Sequence, residues 1–205
     1  ALNSPEEEAS DLIQRHQNYF PELEEVAERL WRDGNIDVDS RFSSMVAYLE
    51  RQHGIRVELM PIGAEKNALR AFDGKRRLLR LSEQLPPRSM HFQLAIQIGF
   101  LDCSLIIERL VGDSRLTTDA SRSLARIVLA NYFAGAVLMP YEDFLKTATA
   151  HRYDVELIGH RFRASYEQVA QRLTSLRRPG MEGIPLHLIR VDIAGNISKR
   201  FSGSG

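Results

Sequence analysis

Residues 93–102, "QLAIQIGFLD", place two glutamines one helical turn apart in a segment that is otherwise largely apolar. Phe92, Ala95, Ile96, Gly99, Phe100 and Cys103 follow the i, i+3, i+4, i+7 spacing of a helix, and Leu94, Ile98 and Leu101 widen the belt. The pattern predicts a central helix starting near Arg88, just after Pro86-Pro87. A comparable helix starts near Thr118, "TDASRSLARIVLANYFAGAVLMP", and is apolar almost all round until Pro140. Gln93, Gln97 and Asn131 are the amides set into these two helices. An unpaired amide in a dry core costs roughly 1–3 kcal/mol. Each therefore needs a partner, which can be protein, water or a ligand.

Upstream, Ser4-Pro5-Glu6-Glu7 is a helix start with a cap, a first-turn proline and a reciprocal glutamate. That helix is expected from Pro5 to about Arg32, with a possible break at Pro21 and a stop at Asp33-Gly34. Ser40 to Gln52 gives a second, with Phe42, Met45, Val46 and Leu49 on one face. Ile55, Val57 and Leu59 alternate with charged residues, and Ala68–Phe72 and Arg77–Leu81 flank the hairpin signal Asp73-Gly74. A small antiparallel sheet of about three strands is expected here. Downstream, Tyr141 to Ala150 is helical. "YDVELIGHRFRASYEQVAQRLTSLRRPG" gives two helices about a turn near Arg163-Ala164, and "LHLIRVD" and "ISKRFS" form a hairpin bent at Gly195-Asn196. The fold class is α+β, mainly helical: a small sheet, then a helix-turn-helix-like pair and a C-terminal β-hairpin.

Lys plus Arg equals Asp plus Glu at 27 each in 205 residues, so no net field draws the chain to nucleic acid or acidic membranes. One cysteine excludes an internal disulfide and a cysteine-based zinc site, and suits a reducing cytoplasm. No run approaches the roughly 18 apolar residues of a membrane span. The start at Ala1 and the Gly-Ser ending suggest a fragment of a longer protein.

Candidate chemistry is sparse. No two of His16, His53, His91, His151, His160 and His187 sit three or four residues apart, the spacing that lets helical side chains converge on one ion. Cys103 lies on the apolar face and reads as an inert core thiol. No G-x-S-x-G elbow or glycine-rich phosphate loop is present. The acidic runs Glu6–Glu8 and Glu24-Glu25 are expected on solvated helix faces. The pair within 151–178 carries Arg161, Arg163, Arg172, Arg177 and Arg178. It can be read as a groove-docking motif or as ordinary packing around Val155, Leu157, Ile158, Phe162, Val169, Leu173 and Leu176.

"LAIQIGFL" followed by "ANYFAGAVLMP" resembles the paired core helices of the ImmA/IrrE family of metallopeptidase-like domains. There the first helix carries A-H-E-x-G-H and the second an acid shortly before A-N-x-F-A. Here Ala95 and Gly99 keep the frame, while Ile96, Gln97 and Phe100 stand at the His, Glu and His positions. No acid occurs between Ala125 and Leu129. Such a set cannot hold zinc or activate water, and the Gln97 amide has no useful basicity. "QNYFPELEEVAERL", "RYDVE", "SYEQVAQRLTSLRRPGMEGIP" and "RVDIAGNISKR" are similar to one subgroup, the bacterial short-chain fatty-acid regulators of propionate and acetate metabolism.

The resemblance implies a catalytically inactive, dimerising effector domain for a short-chain acyl-CoA such as propionyl-CoA or acetyl-CoA, without cofactor or metal. DNA would be read by an Xre-type helix-turn-helix outside this chain. Residues 1–35 would be an N-terminal helical arm, 36–150 the effector domain, and 151–205 the helix pair and hairpin packed on it. A cleft between the two central helices would be walled by Ile96, Phe100 and Tyr132, with Gln93 on the same side. Gln97 or Asn131 would meet the thioester carbonyl, Tyr141 would line the mouth, and Arg70, Arg77 and Arg80 would meet phosphates. The alternatives are a peptidase with a non-standard site and a scaffold with no small ligand.

Overall fold

The structure is a computed structural model that describes residues 3–61, 68–191 and 193, and the backbone of 197–202. The expected bend at Gly195-Asn196 lies outside the described residues. The N-terminal stretch forms two helices, α1 (Pro5–Arg15) and α2 (Pro21–Asp33). Ser4 and Glu7 form the expected capping box on α1. The break comes before Pro21, because Gln17 and Asn18 both take left-handed φ values and turn the chain. α3 (Arg41–His53) ends on Gly54 at φ 62°, where the left-handed cap suits a residue without Cβ.

Strands β1 (Arg56–Met60), β2 (Arg70–Asp73) and β3 (Leu78–Ser82) form a sheet in the order β1-β3-β2. β2 and β3 pair antiparallel, but β1 runs parallel to β3, so the sheet is mixed and not antiparallel as the sequence suggested. "LLRLS" of β3 is the most buried of the three strands and takes the central place, with the others on its two edges. The hairpin turn is also longer than Asp73-Gly74 implies. Asp73 Oδ1 accepts from the backbone N–H of Lys75 and of Arg76, and the left-handed residue is Arg77.

α4 (Pro87–Asp102) and α6 (Asp119–Leu138) are the two expected central helices. Between them the sequence reading missed α5 (Ser104–Val111), which is separated from α4 by the single residue Cys103. α6 begins with a Thr118–Ser121 capping box and contacts α1, α2, α4 and α5. Leu12, Leu23 and Leu30, from the segment read as an arm, share one core with Leu94, Ile98, Leu129 and Phe133. A second core starts at Leu138 and joins α7 (Tyr141–Ala150), α8 (Val155–Phe162) and α9 (Tyr166–Leu173) through Phe144, Phe162 and Val169. Leu157, expected in that core, faces out. β4 (His187–Val191) and β5 (Ile197–Ser202) form the C-terminal antiparallel hairpin. Among the described residues no single helix is long and apolar enough to cross a membrane.

Candidate functional site

Gln93, Gln97 and Phe100 fall at i, i+4 and i+7 on α4, so their side chains stack along one stripe. Arg70 of β2 pairs with Leu81 of β3, which puts its side chain on the face of Leu81. From there Arg70 Nε donates to Gln93 Oε1 at 3.2 Å, and Nη1 donates to Gln97 Oε1. The guanidinium lies 5.4 Å from the centre of the Phe100 ring. A guanidinium only donates, so both amides must turn their oxygens to it. This accounts for two glutamines in a core helix: they hold a cation. Gln97 is 3% exposed, and Gln93, Phe100 and Arg70 are half-buried. Burial lowers the pKa of Arg70 from its usual value. Among the described residues no carboxylate pairs with it, so the site carries an unneutralised positive charge.

The remaining expected residues lie elsewhere. Ile96 is buried in the first core. Tyr132 is spent inside the protein: its hydroxyl donates to Glu24 Oε1 at 2.6 Å and accepts from the Phe20 N–H at 3.1 Å. Burial first, then the Glu24 charge, raise its pKa well above the usual phenol value. Asn131 borders a cavity of about 30 Å³ shared with Asn18, Phe92 and Gln171, roughly the room one water occupies. Tyr141 does not line a mouth. It is buried, donates to the Met181 carbonyl at 2.9 Å, accepts from the Arg178 N–H at 2.8 Å, and lies under the Arg178 guanidinium. Arg77 sits at the hairpin turn and donates to the His53 carbonyl. Arg80 faces Ala71 across the ladder, on the side of the sheet opposite Arg70. Of the three arginines, only Arg70 reaches the glutamines.

Two acids expected on solvated faces are internal. Glu8 is buried and accepts from the Thr117 hydroxyl and N–H, and the hydroxyl bond is the main cause of its lowered pKa. Glu24 is 1% exposed and forms a two-pronged pair with Arg172, itself 4% exposed, at 2.6 and 2.9 Å. Arg172 therefore cannot reach a DNA groove. Burial opposes its charge, but Glu24 outweighs burial and the pKa is raised. Glu24 could have been read as internal, since it shares a helical face with Phe20, Ala27 and Trp31.

Zinc, which the ImmA/IrrE frame implies, does not fit. Ile96 and Phe100 offer no donor, and the Gln97 oxygen is taken by a cation, Arg70. Among the described residues no three His, Cys, Asp or Glu side chains come together as a metal set. Cys103 is fully buried and its thiol is pushed up to about 12, first by burial and then by Asp102. Iodoacetamide at mildly alkaline pH is therefore expected to leave the native chain unlabelled and to label it fully in concentrated urea. Mass spectrometry reads the outcome, and fast labelling of the native chain would contradict a buried thiol.

The helix pair carrying this site is a known frame. Residues 50–174 match the IrrE N-terminal-like domain. The chain belongs to that family. The IrrE-like part is followed at 175–205 by a match to the short-chain fatty acyl coenzyme A regulator, C-terminal. Over the whole chain it is 36% identical to the HTH-type transcriptional regulator RamB of Mycobacterium tuberculosis, covering 43% of that protein. It is 37% identical over 98% of its length to PrpR, an HTH-type transcriptional regulator of the same organism, covering 41% of it. The propionyl-CoA carboxylase regulator of Cereibacter sphaeroides is 36% identical over 98% of the chain, which covers 42% of it. The chain thus spans about two fifths of the length of these relatives. A solved structure described as a Mycobacterium tuberculosis transcriptional regulator superposes with a TM-score of 0.94 at 36% identity, over 99% of this chain and 61% of that one. Both the fold and the regulator resemblance expected from the sequence are borne out.

Proposed function

We propose that this domain is the effector-sensing and dimerising part of a cytoplasmic transcriptional regulator, that its effector is a short-chain acyl-CoA, and that it has no peptidase activity. The observation that carries this reading is Arg70: a half-buried guanidinium oriented by Gln93 and Gln97 and, among the described residues, left without a carboxylate. Amide oxygens orient a cation but do not neutralise it, so an anionic guest completes the site. The description of the matched C-terminal family, short-chain fatty acyl coenzyme A regulator, supports an acyl-CoA effector, and the Ile96, Gln97 and Phe100 set argues against hydrolysis. DNA would be contacted by a helix-turn-helix elsewhere in the full-length regulator. Effector binding would reach it through a shift between dimer states for which the effector has different affinities.

Calorimetry with propionyl-CoA, acetyl-CoA and free CoA tests this reading. Saturable heat is expected with the thioesters, and Arg70→Ala is expected to weaken binding by about tenfold or more. Absence of heat with every short acyl-CoA would defeat it. One observation favours a second reading: Arg70 already binds both glutamine oxygens, as a fixed strut between sheet and helix would. In a pure scaffold, Arg70→Ala lowers stability and no acyl-CoA raises the melting temperature of the parent chain.

A further inference from the structure

Among the described residues a second arginine is also held without a carboxylate, at a place that shares no residue with the Arg70 site. Arg41, the first residue of α3, is 3% exposed. Its Nη1 donates to the Phe162 carbonyl at 2.8 Å, and its buried Nε has no acceptor. Burial and the neighbouring Arg163 charge both make the cation harder to keep. Among the described residues no acid bonds to it. A buried charge with one neutral carbonyl for company is costly unless something outside the chain completes it.

Arg41 lines a cavity of about 150 Å³. Trp31, Val38, Pro140 and Phe162 supply apolar wall, and Arg161 and Asp143 stand at the same cavity, 3.9 Å apart. Arg163 is held by Asp39 at 3.3 Å. Three arginines against two aspartates leave one positive charge over. We propose that this cavity binds a small aliphatic monocarboxylate, with its oxygens on Arg41 and Arg161 and its hydrocarbon end against Trp31 and Phe162. One surplus charge matches a monoanion, whereas a dianion such as phosphate would crowd Asp143. The apolar walls also offer phosphate oxygens no donors, which is costly for a highly hydrated ion. The volume suits an acid of about two to five carbons, since a cavity of similar size takes up one benzene.

Trp31 is the sole tryptophan and lines this cavity, so its emission reports on it. The test is a fluorescence titration of the chain with propionate and butyrate, with butyramide and inorganic phosphate as controls. A saturable change is expected with both carboxylates and none with butyramide. Arg41→Met is expected to weaken binding by about tenfold or more. Arg161→Gln, at an exposed position that leaves folding intact, serves if Arg41→Met fails to fold, and a several-fold loss is expected there. No saturable change, an equal response to butyramide, a stronger response to phosphate, or unaltered affinity in the folded variants each overturns the proposal.

Discussion

Replacing Arg172 by alanine is expected to cost roughly 3–5 kcal/mol of unfolding free energy. The guanidinium grips both oxygens of Glu24, and also donates to the Met139 carbonyl and the Ser175 hydroxyl. Its flat face lies near the rings of Tyr132, Tyr141 and Phe144. Truncation leaves the Glu24 carboxylate buried with, among the described residues, only the Tyr132 hydroxyl as partner, and an ion stripped of its counter-charge is what makes such losses large. The pair need not be strongly stabilising when intact, because two desolvated ions lose much of what their attraction returns. Hence the double variant Glu24→Leu/Arg172→Met is expected to be far more stable than Arg172→Ala alone. Urea denaturation of the single and double variants measures both values. An Arg172→Ala loss below about 1 kcal/mol, the scale of exposed pairs, would show that water reaches the pair. The network joins α2, α9 and the end of α6, and Ser175 begins the region matched by the acyl-CoA regulator family. Its loss therefore loosens the seam between the two matched regions.

The central helices were legible because apolar periodicity and proline punctuation are local signals that burial later confirms. α4 and α6 begin and end within a residue or two of where Pro86-Pro87, Thr118 and Pro140 indicate. α5 was missed because eight residues following α4 after a single break give too little periodic pattern to separate. The parallel pairing of β1 with β3 was not legible, since alternation along one strand does not say which neighbour it pairs with or in which direction. At the site, Gln97, Gln93, Phe100 and Arg70 were all named from the sequence, but the bonds between them span 23 and 27 residues. Residue type marked them as candidates, and only the packing of sheet on helix showed that they satisfy one another. Tyr132 and Tyr141 mislead for the converse reason. A hydroxyl in an apolar helix signals a partner, and here the partners are Glu24 and the Met181 carbonyl.

Gly99 is the residue on which the peptidase-like frame itself depends, and the expected result there is non-additive. A Cβ at Gly99 would stand 2.7 Å from Phe133 Cδ1 and 3.3 Å from its Cγ, closer than carbon atoms tolerate. Gly99 and Phe133 are the glycine and the phenylalanine of the two family segments, so each segment is shaped to admit the other. Alanine at 99 gains up to about 1 kcal/mol of helix propensity, which offsets part of the clash. Valine gains less and is bulkier, and Gly99→Val is expected to destabilise the chain by about 3 kcal/mol or more, the upper range for overpacking. Phe133→Ala is expected to cost roughly 3–5 kcal/mol by leaving a cavity beside α4. In the double variant the valine enters the space the ring has vacated. Its loss is therefore expected to fall short of the summed single losses by about 1 kcal/mol or more. Denaturant unfolding of the four proteins gives the coupling directly. Losses that add to within about 0.5 kcal/mol would mean that the two side chains do not meet, and that something other than this contact sets the close approach of α4 and α6.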